Sequence, residues 1–100
     1  MDQKKYNVTG EEEFHIAELT GGTYEKIRMI ELQTSFYSIQ SKQNIANEFS
    51  LDLKDYKDIY NMRTYYEELV KVLFIEPCEA KFKDINMSVV NRAKADFLAQ

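Results

Sequence analysis

The stretch Asp55-Tyr-Lys-Asp-Ile-Tyr-Asn-Met-Arg-Thr-Tyr-Tyr-Glu-Glu-Leu-Val-Lys-Val-Leu-Phe-Ile75 runs for twenty-one residues without Gly or Pro, and the single proline, Pro77, follows it. A helix over 55–75 is the reading that decides the fold, because a proline pushes the residue before it out of the helical region. At about 100° per residue, Tyr56, Ile59, Met62, Tyr66, Leu69, Val70, Leu73 and Phe74 share one arc, opposed by Lys57, Thr64, Glu68 and Lys71. Tyr60, Tyr65 and Val72 fall on the flanks. These are more apolar groups than a two-layer fold of this length needs to cover one face, and the surplus points to a partner.

On the N-terminal side, Leu32, Phe36, Ile39, Gln43 and Ala46 fall on one helical stripe and predict a helix over about 32–48, with Ser38, Lys42 and Asn44 outward. Before it, Gly21-Gly22 matches a two-residue hairpin turn, where both positions tolerate positive φ, and predicts a hairpin over about 14–30. With Thr20 facing Thr23, Ile16 pairs with Ile27 and Phe14 with Met29 on an apolar face, and Ala17 with Lys26 and His15 with Arg28 on a wet one. The same register opposes Glu18 and Glu25, an unfavourable pair unless both are solvated. Residues 1–13 are polar, end in three consecutive glutamates and are expected to form a loose arm, with Tyr6 and Val8 the only seats for a short edge strand.

On the C-terminal side, 78–85 is expected as a loop or short strand. Asn86 or Ser88 then caps a helix over about 87–99 whose inner stripe is Val90, Ala93 and Phe97. Asp52 or Asp55 is the expected cap of the long helix. The order, a hairpin followed by three helices, predicts a single α+β domain over 14–100.

One hundred residues, 44% hydrophobic and 30% charged, describe one globular domain. Thirteen basic against seventeen acidic residues give a net charge of −4, and the basic residues are scattered, which argues against nucleic acid or an anionic membrane as partner. One cysteine, Cys78, cannot form an internal disulfide, and no apolar h-region follows Lys4-Lys5, so a cytoplasmic setting is expected. The longest apolar run, Val72 to Ile75, falls far short of the roughly 18 residues of a membrane span.

Reactive chemistry finds little support. His15 and Cys78 are each the only residue of their type, their neighbours do not resemble a nucleophile turn, and packing suits Cys78 better. One Cys and one His do not make a zinc site, and Glu11-Glu12-Glu13 lacks the alternating ligands of a calcium loop. No catalytic, cofactor-binding or metal residues are expected, and the protein is expected not to be an enzyme. The aromatics carry the remaining signal: seven Tyr and six Phe favour contact surfaces, since tyrosine offers a stiff, large area with one polar end. Phe36, Tyr37, Tyr60, Tyr65 and Val72 are the expected interaction residues.

Three segments carry a resemblance: Leu19-Thr20-Gly21-Gly22-Thr23-Tyr24-Glu25-Lys26-Ile27-Arg28, the run Tyr65-Tyr66-Glu67-Glu68-Leu69-Val70-Lys71 leading to Pro77, and the ending Asp96-Phe97-Leu98. Through them the chain resembles the small tail assembly chaperones of long-tailed phages of Gram-positive bacteria. The resemblance implies a non-enzymatic protein that coats the tape measure protein during tail assembly, self-associates along it and helps recruit tail tube subunits. It also implies a longer frameshifted form, of which Gln100 would end the short one. The alternative is a small cytoplasmic adaptor or regulator that binds one folded protein.

Overall fold

The computed structural model describes residues 4–100. Strands β1 (Lys5–Asn7) and β2 (Glu13–His15) are followed by helices α1 (Gly21–Leu32), α2 (Ile39–Glu48), α3 (Met62–Leu73) and α4 (Met87–Leu98), with short 3-10 turns at Leu53–Asp55 and Phe82–Asp84. The class and order agree with the sequence: α+β, an N-terminal antiparallel hairpin and then helices. The hairpin lies earlier than 14–30, and the described residues form four helices rather than three.

The hairpin pairs Lys5 with His15, Tyr6 with Phe14 and Asn7 with Glu13. Its turn uses Gly10, at φ 89°, whose N–H donates to Asn7 Oδ1 at 2.6 Å. Residues 5–7 of the expected arm are therefore strand, and both Tyr6 and Val8 are buried; Met1–Gln3 lie outside the described residues. What fixes this segment is tertiary: the Tyr6 ring lies 6.4 Å from that of Phe74, and its hydroxyl donates to Asp96 on α4.

Gly21-Gly22 opens α1 instead of turning a hairpin. Thr20 Oγ1 accepts from the N–H of Thr23 at 3.1 Å while the N–H of Thr20 donates to Thr23 Oγ1 at 2.9 Å. This reciprocal cap satisfies two of the free amides at the helix start, so Thr-Gly-Gly-Thr serves as a helix signal. Ile27, Ile30 and Glu31 are buried at helical spacing, and Glu18 never meets Glu25 across a strand. The expected partners of Phe14 and Ile16 are replaced too: Phe14 pairs with Tyr6, and Ile16 forms an antiparallel bridge with Phe74.

That bridge also shortens the long helix. Ala17 N–H donates to Leu73 C=O at 2.8 Å and Ile75 N–H to His15 C=O at 2.9 Å, so the chain leaves α3 at Leu73 to pair with β2 before Pro77 is reached. At the other end Asn61, not Asp52 or Asp55, caps α3: Asn61 Oδ1 accepts from Thr64 N–H at 2.9 Å, and Thr64 Oγ1 accepts from Asn61 N–H at 2.9 Å. Asp52 caps the 3-10 turn. The expected helix over 32–48 is broken by 33–38, with Ser38 capping α2. The final helix agrees with its expected span, and Asn86 caps it.

Helix α3 packs against both α1 and α4, and α1 packs against α2. Tyr65, Tyr66, Leu69, Val70 and Leu73 of α3 join Val8, Ile27, Cys78, Val90 and Phe97 in the main core. A second, smaller cluster of Leu32, Ile45 and Ala46 lies under α2. The molecule measures 39 × 32 × 18 Å.

The cap assignment has a measurable consequence. In urea unfolding, Thr20→Ala lowers stability by about 1 kcal/mol through loss of the cap, whereas Gly21→Ala raises it by up to about 1 kcal/mol, since its backbone is helical and a Cβ there meets nothing within 4 Å. A hairpin turn at Gly21-Gly22 would reverse the second sign.

Candidate protein-interaction surface

The fold brings Phe36, Tyr37 and Tyr65 together around a buried ionic knot. Phe36 in the α1–α2 connection sets its ring edge-on to Tyr65 at 5.3 Å and to Tyr37 at 5.5 Å. Behind them lies Glu31, at the C-terminal end of α1 and on the same buried face as Ile27 and Ile30. One Glu31 oxygen accepts from Arg28 Nη1 at 2.7 Å, and the other accepts from Lys94 Nζ and Tyr37 Oη, each at 2.8 Å. Lys94 Nζ also donates to the hydroxyls of Tyr37 at 2.8 Å and Tyr65 at 3.1 Å, which uses all three of its protons.

Enclosure sets the electrostatics. Burial pushes the Tyr37 hydroxyl well above its usual range, reinforced by its bond with Tyr65 and by the Glu31 charge. At Lys94 burial works against the ammonium, yet Glu31 and Tyr65 outweigh it and the pKa rises. Arg28 behaves alike, burial being outweighed by Tyr24 and Glu31. A lysine held protonated has no lone pair to attack with, and a tyrosine held neutral is a poor base. The knot binds four parts of the chain together.

Residues 33–35 and 59–60 are laced together: Ser35 N–H donates to Tyr60 C=O at 2.8 Å, and Ile59 and Tyr60 N–H both donate to Gln33 C=O at 3.0 and 2.9 Å. Nearby, Lys42 on α2 reaches Asp58. Within three residues of these ties along the chain are Phe36, 43% exposed, Ile39, 77%, Ile59, 58%, and Met62, 43%. These four, an apolar rim along the tied connections, are four of the five exposed large hydrophobic residues among the described ones; the fifth is Ile75. A separate open groove of about 490 Å³ runs between α1 and the end of α3, over Met29, Ile30 and Val72.

The five sequence-expected residues divide accordingly. Phe36 is exposed on the rim, Tyr37 is half-buried with its hydroxyl in the knot, and Tyr60 is half-buried at the lacing. Tyr65, expected on a flank, is only 3% exposed; α3 begins seven residues later than expected, and Tyr65 packs inward beside Tyr66. Val72 lies roughly 10 Å further along α3 than Tyr65, in the groove instead of at the rim.

Ile39, Ile59 and Met62 were placed in the core by helical projection and instead face out, because the chain is not helical at 33–38 or 56–61. The caps Ser38-x-x-Ser41 and Asn61-x-x-Thr64 are the signal that would have found them. Cys78 is buried in the main core. Among the described residues no group of three His, Cys, Asp or Glu could hold a metal ion, and no helix is long and apolar enough to cross a membrane.

Two outcomes follow from the knot. Glu31→Ala strands the Lys94 charge and costs roughly 3 kcal/mol in urea unfolding, whereas Lys94→Met costs less because Glu31 keeps Arg28 and Tyr37. Tyr37 and Tyr6 hold their protons more tightly folded than unfolded; burial and the Asp96 bond push Tyr6 up to about 12. Stability is therefore full below about pH 10, where unfolded tyrosine titrates, and falls as the pH rises through the folded values. Unfolding midpoints between about pH 8 and about pH 11 check this, and Tyr6→Phe and Tyr37→Phe should each flatten the decline.

Compared with known families, curated proteins and solved structures, the chain matches no family model, no curated protein and no solved structure.

Proposed function

We propose that this chain is a non-enzymatic phage tail assembly chaperone that acts in the bacterial cytoplasm, holding the tape measure protein and helping to recruit tail tube subunits. The observation that carries the reading is the apolar rim: Phe36, Ile39, Ile59 and Met62 are exposed in or next to two connections tied by main-chain bonds. Scattered exposed hydrophobic groups need no explanation, but a group of four on a fastened framework is suited to binding protein. The main-chain ties beside Phe36 and Ile59 mean that little ordering entropy is lost on contact at that side. An amphipathic helix laying its apolar stripe on the rim is the contact this geometry accommodates, and a tape measure protein supplies many such segments. The choice of that client over other helical proteins rests on the sequence resemblance alone.

The test is co-expression with the long helical product of the largest neighbouring reading frame, followed by size-exclusion chromatography with light scattering. Many copies of this chain on one long client are expected. A fixed one-to-one complex with a folded protein would transfer the reading to an adaptor, and no complex would overturn the chaperone. Ile39→Asp combined with Ile59→Asp, the two most exposed of the four, should keep the circular dichroism spectrum and thermal transition while weakening client binding by roughly tenfold or more, the scale of losing one hot-spot contact. Tyr65→Asp, by contrast, should unfold the chain, since it places a charge in the core.

A further inference from the structure

We infer that the groove between α1 and the end of α3 is a two-fold interface, and that its occupant is α1 of a second copy of this chain. The floor is apolar, made by Met29, Ile30 and Val72, while the outward stripe of α1 across it reads Gly22, then Glu25 and Lys26, then Met29. That order is complementary to its own reverse. A two-fold axis crossing α1 between Glu25 and Lys26 runs the two helices antiparallel. It sets Glu25 of one copy against Lys26 of the other, and Gly22 against Met29, twice over.

Charge and shape both support this occupant. Glu25 and Lys26 are exposed, and among the described residues neither has an ion-pair partner within the chain. A two-fold contact pairs each with its opposite, whereas a uniformly acidic or basic partner would oppose one of them. Gly22 is exposed in helical backbone, and a Cβ there would meet only Thr20 Oγ1 at 3.8 Å. The fold itself gives no reason for glycine, one of the poorest helix formers, at that position. Across the axis it leaves a hollow for the long, adaptable Met29 side chain and lets the helices approach toward the close end of the 8–10 Å packing range. This contact lies apart from the Phe36 rim and does not depend on the client reading.

Sedimentation velocity on the full chain, from roughly micromolar to millimolar concentration, should show a reversible dimer. Glu25→Lys and Lys26→Glu each put like charges across the axis twice and should weaken it roughly tenfold or more. Mixing the two variants, or combining them in one chain, restores opposite charges and should restore association. Gly22→Leu, which has open space in the single chain, should keep its circular dichroism spectrum and lose the dimer. A wild-type chain that stays monomeric throughout, a combined charge swap as weak as either single variant, or a Gly22→Leu protein that still dimerises would each overturn the interface. Client binding through Phe36 would be untouched by any of these results.

Discussion

A single carboxylate, that of Glu31, holds the helical layer in its arrangement. An unpaired charge in a protein interior is costly, so a buried carboxylate imposes a demand on its surroundings. Glu31 obtains two cations and a hydroxyl from three other places: Arg28 one turn earlier, Lys94 on α4, and Tyr37 in the connection to α2. Each donor comes from an element that has to be positioned for it to arrive. The docking of α4 beside α1 and the path of residues 33–38 are thus coupled to one side chain. Tyr65, sharing Lys94 with Tyr37, adds α3 to the same knot. Hydrophobic contacts supply most of the driving force in a chain this small, yet they are non-directional, and the ionic group gives direction to what they assemble.

The second organising contact is the pairing of β2 on both edges. On one side lies β1, and on the other the chain that leaves α3, through Ala17, Leu73, His15 and Ile75. An isolated two-stranded hairpin is marginal in water, and this one is secured by that extra edge and by Tyr6 and Phe14 packing on Phe74. The sheet is small, but it fixes where α3 ends and how the N-terminal segment meets α4 through Tyr6 and Asp96.

Local helix chemistry was legible where it acted alone. The final helix, its Asn86 cap and its inner stripe of Val90, Ala93 and Phe97 follow from spacing, because nothing distant competes there. Elsewhere distant pairing won. The run from 55 to 75 has helical periodicity throughout, but the main-chain groups of Ile59 and Tyr60 bond Gln33, and those beyond Leu73 turn to β2. Neither partner is visible in a local window. Gly21-Gly22 misled in another way: the dipeptide suits a hairpin, and only the flanking threonines, three apart, distinguish a capped helix start. At the candidate surface, Phe36 was found from its aromatic character. Ile39, Ile59 and Met62 were hidden because their exposure is created by the breaks in helix. Glu31, Arg28 and Lys94 are 3 and 63 residues from one another in sequence, and composition gives no sign that they meet.

The division of apolar side chains into two clusters has a dynamic consequence. Helix α2 packs Ile45 and Ala46 on Leu32, apart from the main core, with half-buried Met29, Phe49, Leu51, Leu53 and Tyr56 around them, and is tied by Lys42 reaching Asp58 and by Tyr24 reaching Glu48. An element anchored in the smaller cluster detaches at a lower free energy than one anchored in the main core. Its amides should therefore exchange with solvent through a partial opening, in which α1, α3 and α4 stay folded around the ionic knot. Because Ile39 begins that helix, the apolar rim has one hinged side and one fixed side, Met62 being rooted in α3. A surface built this way can widen or narrow by the tilt of one short helix without disturbing the rest of the fold.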